Sequence, residues 1–175
     1  MRYIVFLRGI NVGGHSIKMA DLKACFESIG LKSVKTIQQT GNVLFESSVD
    51  ARKLKRTIEA ALTRSFNYQV RVQVINIDSL REIVAASPFS SQKDSFHQYV
   101  LFFEDGLEKE LLGEFIDLDS STEVIKLGNG VIYWSVRVGM TLDSQFAKFL
   151  TKAKYKSFNT NRNIRTLQKI IDQSE

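Results

Sequence analysis

The sequence predicts an α+β protein built from two ferredoxin-like (split βαβ) subdomains, and leaves open whether the second is complete. Three observations carry that prediction. Read by hydrophobic period, residues 1–90 run strand, helix, strand, strand, helix, strand, which is the split βαβ order. From residue 91 the same programme starts again. Between the two, the only proline of the chain, Pro88, stands in a Ser-rich stretch from Ser87 to Ser95, the composition of a boundary. The expected division is 1–90, a ferredoxin-like subdomain with a Gly-rich loop, and 91–175, a second α+β subdomain with a basic C-terminal helix.

Tyr3 to Leu7 is apolar at every position, which marks a strand covered on both faces and therefore central in its sheet. From Met19 to Ile29, the residues Met19, Leu22, Cys25, Phe26 and Ile29 share one helical stripe, and Gly30 ends the helix. Val34 to Gln38 and Asn42 to Glu46 read as strands joined by a short polar turn containing Gly41, a hairpin. Asp50 is placed to cap a helix whose Leu54, Ile58, Ala61, Leu62 and Ser65 recur at spacings of three and four. Val70, Val72 and Val74 alternate with Arg71 and Gln73, as in a strand with one wet face. A short helix follows near Asp78 to Ala86.

In the second half a strand is expected at Gln98 to Phe103 and a helix around Leu107 to Phe115. Strands at Glu123 to Leu127 and Val131 to Val136 are joined by Gly128-Asn129-Gly130. A helix near Ser144 to Leu150 follows. A last one, from about Asn163 to Asp172, buries Ile164, Leu167, Ile170 and Ile171. No strand is read between these two helices.

At 43% apolar and 25% charged, the chain has the composition of a soluble globular protein rather than a disordered or fibrous one. One Cys makes no internal disulfide, and no run nears the ~18 apolar residues of a membrane span. Nothing ahead of the first strand reads as a basic leader, so the expectation is a cytoplasmic protein with no membrane partner. One Cys and two His also exclude a zinc site built from those ligands, and no metal is expected. Cys25, on an apolar stripe, reads as a buried inert thiol.

Charge is unevenly spread. Residues 91–123 carry 2 Lys/Arg against 9 Asp/Glu, and residues 124–169 carry 9 against 1. The acidic run from Glu104 to Glu123 is expected on a solvated helix face and loop. In the basic tract, Lys152, Lys154, Lys156, Arg165 and Lys169 are interleaved with Phe149, Tyr155 and Phe158, giving cations for phosphates and rings for bases. Nucleic acid is the less favoured partner, because a charge run is more often a solvated face or pairs with an opposite run in the same fold.

Polar residues converge at one end of the first subdomain. In the split βαβ order the first and second strands are parallel, so the loop leaving the first must lie beside the turn after the second. This brings Arg8, Gly9, Asn11, Gly13, Gly14 and His15 together with Gln39 and Asn42. Glycines let backbone N–H groups approach a ligand, the following helix opens there with a field that favours anions, and Arg8 is a forked donor. An anionic small molecule is the expected ligand. The other reading is a tight connection, with Arg8 paired to a carboxylate elsewhere. The glycine spacing approaches that of a P-loop, but His15 stands where that motif needs Lys, and no G-x-G-x-x-G unit is present. The sequence names no cofactor and no catalytic pair. An enzyme acting on a phosphorylated or carboxylated small molecule, with His15 moving a proton, is the alternative to a binding module.

The segment Leu7-Arg8-Gly9-Ile10-Asn11-Val12-Gly13-Gly14, with Met19-Ala20-Asp21-Leu22 and Gln39-Thr40-Gly41-Asn42-Val43, resembles the signature of a bacterial domain-of-unknown-function family. That family opens with LRGINVGG and continues with MAEL and QSGNV. Thr160-Asn161-Arg162-Asn163, with Thr166 and Lys169, is similar to its closing T-x-R-N-x-x-T-x-x-K pattern. The resemblance spans nearly the whole chain and implies a cytosolic bacterial protein of two ferredoxin-like subdomains, with no established activity. His15 stands where many relatives have Lys, and Thr40 replaces Ser. The closing motif suggests that Arg162 and Asn163, expected to begin the last helix, line the same cleft as the glycine loop.

Overall fold

The computed structural model describes residues 1–8, 16–38, 40–67, 69–89, 95–103, 107–114, 121–152 and 159–175. It divides into two units, Met1–Arg81 with Ile170–Glu175, and Glu82–Lys169. The last six residues of the chain thus lie with the first unit.

The first unit follows the order β1 (Arg2–Leu7), α1 (Met19–Ser28), β2 (Lys32–Ile37), β3 (Asn42–Glu46), α2 (Ala51–Phe66), β4 (Val72–Asn76) and the start of α3 (Ile77–Ala85). Its sheet has the order β2-β3-β1-β4, with every neighbouring pair antiparallel. Tyr3, Val5, Leu7, Val43 and Phe45 form one core with Leu22 and Phe26 of α1 and Leu54, Ile58 and Leu62 of α2. Ile4 and Phe6 point to the other face and are fully buried too. This is why the strand has no polar position from Tyr3 to Leu7, each such side chain stabilising by ~1.5–3 kcal/mol.

The helix ends obey local chemistry. Asp50 Oδ1 accepts the Lys53 N–H at 3.0 Å and starts α2. Gly30, at φ 82°, takes the left-handed conformation that stops α1. Cys25 is buried, with its sulfur 3.4 Å from Ser65 Oγ.

The second unit contains β5 (Phe96–Phe103), α4 (Leu107–Glu114), β6 (Glu123–Leu127), β7 (Val131–Arg137), α5 (Gln145–Leu150), β8 (Asn159–Asn163) and most of α6 (Ile164–Asp172). Its sheet order, β6-β7-β5-β8, repeats that of the first unit. The second copy, whose completeness the sequence leaves open, thus has all four strands. The strand not read from the sequence is Asn159-Thr160-Asn161-Arg162-Asn163, an asparagine-rich run with no apolar alternation. It is held as a strand by pairing along β5, from Phe103 opposite Asn159 to Tyr99 opposite Asn163, so tertiary pairing overrides weak β-propensity.

A second correction concerns Glu123, expected on a solvated surface. Its side chain is buried at 2% exposure. Oε2 accepts the Trp134 indole N–H at 2.9 Å, and Oε1 accepts the N–H groups of Gln145 and Phe146 at 2.8 and 3.2 Å. With Ser144 Oγ taking the Ala147 N–H, the first three amides of α5 are all satisfied. Glu108 is buried as well, at 6% exposure. Among the described residues no helix is long and apolar enough to cross a membrane.

Candidate functional site

The β1 strand lies between β3 and β4, so its exit meets both the turn before β3 and the start of β4. The Leu7 N–H donates to the Gly41 carbonyl at 2.8 Å, and the Arg8 N–H donates to the Arg71 carbonyl at 3.1 Å. The turn itself is set by Gln38 and Gly41, at φ 58° and 72°. Asn42, fully buried, closes it by donating from Nδ2 to the Ile37 carbonyl at 3.1 Å and to Thr40 Oγ1 at 2.9 Å. Asn42 is therefore an orienting amide whose donors face the turn.

The Arg8 guanidinium is half-buried, and loss of water lowers its pKa from the ordinary arginine value. Its Nη1 is completely buried and has no hydrogen-bond partner among the described residues. Such an N–H is costly to leave unmade. The first turn of α1 opens at the same end, because that helix must carry the chain back from the exit of β1 to the start of β2. The residue before it, Lys18, is extended and supplies no side-chain cap. Gly9, Asn11, Gly13, Gly14, His15 and Gln39 lie outside the described residues.

Arg162 and Asn163 do not begin the last helix, as expected from the sequence, but end β8 in the second unit. Arg162 stands opposite Val100, and its Nη1 donates to Thr160 Oγ1 at 2.9 Å and to the Asn161 carbonyl at 2.7 Å. Burial pushes its pKa down to about 10. Asn163 Oδ1 accepts the Arg165 N–H at 2.9 Å and starts α6. Of the basic tract, Lys152 lies with its ammonium 4.2 Å from the centre of the Phe149 ring, and Arg165 and Lys169 are exposed on α6. Lys154 and Lys156 lie outside the described residues.

Sequence reasoning did not place Arg71 at the corner. The signal was there: the alternating valines mark a strand, and the ferredoxin-like order sets its start beside the end of the first strand. A pocket of about 270 Å³ is found elsewhere in the first unit, at the opposite end of the sheet, between Arg2, Ser33, Lys35, Leu44, Glu46 and Ser174. Its guanidinium is already engaged, with Arg2 donating to Glu46 at 3.3 Å and to the Ser174 carbonyl. No group of three or more His, Cys, Asp or Glu that could hold a metal occurs among the described residues.

A family model described as a protein of unknown function (DUF1697) matches residues 1–133. Among solved structures, the conserved bacterial protein SP0830 from Streptococcus pneumoniae is similar at a TM-score of 0.83 and 23% identity, over 99% of this chain and 98% of that one. At that identity the likeness is one of fold. No curated protein matches the chain.

Proposed function

We propose that this chain, which belongs to the DUF1697 family of proteins of unknown function, is a binding module for a small anion, taken up at the corner that follows β1. One observation carries the reading, the buried Nη1 of Arg8, which has no hydrogen-bond partner among the described residues. A guanidinium already disfavoured by desolvation gains most from an anionic acceptor, since charge-assisted hydrogen bonds are roughly twice as strong as neutral ones. The N-terminus of α1, which Lys18 does not cap, adds a field that favours an anion, offset in part by Asp21 in its first turn. The glycines at 9, 13 and 14 suit close backbone approach, and Asn42 fixes the turn opposite. Arg162, whose Nη1 donates within β8, is not among the proposed contacts.

The test is a thermal-shift screen of inorganic phosphate, sulfate, nucleotides, sugar phosphates and dicarboxylates on the intact chain and on Arg8→Gln. A ligand at one hundred times its dissociation constant stabilises by about 2.7 kcal/mol. For a chain of this size that is a rise of roughly 5–11 °C, and the substitution should abolish it. If no anion at tens of millimolar moves the midpoint, the reading is wrong.

A further inference from the structure

We propose that the outward face of α2 is a second, separate binding surface, one that takes the phosphate backbone of a double-stranded nucleic acid without reading its sequence. The helix carries Arg52, Lys53, Lys55, Arg56 and Arg64 against one carboxylate, Glu59. That carboxylate offsets one of the five and is turned toward β4, where Glu59 Oε1 accepts the N–H of Val72 at 3.0 Å, so the helix keeps a formal charge of +4.

At about 100° per residue, the buried Leu54, Ile58, Ala61 and Leu62 form one stripe, and Arg56 stands diametrically opposite it. Arg52, Lys53 and Arg64 flank Arg56 on the same side, and all four are exposed. Neither Arg56 nor Arg64 makes an ion pair among the described residues.

This arrangement works against the helix that bears it. Arg52 and Arg56 are like charges four residues apart, and Lys53 and Arg56 are three apart, spacings at which repulsion is felt. Four of the five cations occupy the first two turns, where the macrodipole is positive, and the capping Asp50 is the one carboxylate at that end among the described residues. A local rule broken on an otherwise well-capped helix marks a position held for something other than stability.

The chemistry of the face selects among polyanions. Its remaining exposed positions, Thr57, Ala60 and Thr63, are small. With no large apolar side chain to insert, the face lacks what an interfacial membrane helix needs. With no exposed ring, it lacks the stacking platform of a single-strand groove. Phosphates presented by a duplex need only cations, which is the sequence-independent, counterion-releasing mode.

The experiment measures anisotropy of fluorescein-labelled 24-base-pair RNA and DNA duplexes with the full chain between 50 and 200 mM KCl. Four neutralised phosphates give a slope of about −3.6 in log affinity against log salt, a weakening of about 150-fold across that range. Lys53→Ala with Arg56→Ala should weaken binding at least tenfold at 50 mM and bring the slope to about −1.8. Lys126→Ala with Arg137→Ala, which removes two exposed cations of the second unit, should leave affinity within twofold.

The α2 pair replaces mutually repelling residues by the best helix former, so thermal midpoint and circular dichroism should hold, and lost binding cannot be lost folding. The proposal is overturned by any of four results: no duplex binding at 50 mM, salt-insensitive binding, equal loss in the control pair, or equally tight binding to polyglutamate or phosphatidylserine vesicles. None of these outcomes bears on Arg8, whose anion test is scored separately.

Discussion

Replacing Glu123 by Ala should unfold the second unit more easily than any surface substitution. The carboxylate is 2% exposed and accepts three N–H groups, those of Trp134, Gln145 and Phe146, at 2.8–3.2 Å. Hydrogen bonds to a charged group contribute ~1.5–3 kcal/mol each, but they share one desolvation cost and do not add. Removing one partner of a buried charged network costs ~3–5 kcal/mol, and about 4 kcal/mol is expected here. Glu123→Gln keeps one acceptor oxygen and turns an NH₂ toward the other donors, so about half that loss should follow. Trp134→Phe removes the indole donor. A double-mutant cycle of Glu123→Gln with Trp134→Phe should then show a coupling of about 1–2 kcal/mol.

The assay is urea unfolding followed by circular dichroism for all four proteins of the cycle, with tryptophan fluorescence added for the two that keep Trp134. Trp134 is the only tryptophan and lies beside the carboxylate, so its emission reports on the second unit alone. With a urea slope of ~1–3 kcal/mol per molar, 4 kcal/mol corresponds to a fall of roughly 1.3–4 M in the midpoint. A Glu123→Ala protein within 1 kcal/mol of the parent, with unchanged emission, would refute the reasoning.

Other consequences follow from the first unit. Asn42→Ala should cost about 2–3 kcal/mol by stranding the Ile37 carbonyl in a buried turn, measured as a shift in the denaturation midpoint. Arg8→Met should leave the ligand-free protein as stable or slightly more so, because no described partner of Nη1 is lost, while removing every anion-induced thermal shift. A clear loss of stability without ligand would show that Arg8 has a structural partner. The Asp50 carboxyl is held below its ordinary 3.8, first of all by the Lys53 amide. A depressed pKa contributes stability that is complete above the unfolded value and lost as pH falls through the folded one. The midpoint gap between the parent and Asp50→Ala should therefore be full at pH 7 and narrow progressively below about pH 3.8.

Most of the architecture could be read from local pattern. The apolar Tyr3–Leu7 run of β1, the Asp50 cap and the Asn42–Glu46 strand are fixed by neighbours in sequence, and each lies where local pattern puts it. The failures share a cause. Strand β8 has no local signature, because asparagines become a strand only when Tyr99–Phe103 offers its backbone edge. Glu123 sits in a run of acids that looks solvated. What makes its burial tolerable are donors 11 to 23 residues further on, a separation that no periodicity reports. Arg162 was misplaced for the same reason as β8, since a helix start and the last residues of an edge strand look alike in a polar sequence.

The corner after β1 was legible in a different way, through topology rather than pattern. Any chain with the order β2-β3-β1-β4 must bring the residues after β1 to the turn before β3 and to the start of β4, as the Leu7–Gly41 and Arg8–Arg71 hydrogen bonds do. The fold alone therefore cannot be the argument for a ligand, because the second unit repeats it. There the residue that follows β5 in sequence is Glu104, where the first unit has Arg8. In sequence, the residue that follows the first strand of each copy thus carries opposite charge. The charge at that position belongs to the sequence and is free to serve a ligand. The anion reading accordingly rests on Arg8 and its buried Nη1, which has no partner among the described residues. It predicts that exchanging the charge there, as in Arg8→Glu, would convert anion-induced stabilisation into indifference while leaving the β2-β3-β1-β4 sheet intact.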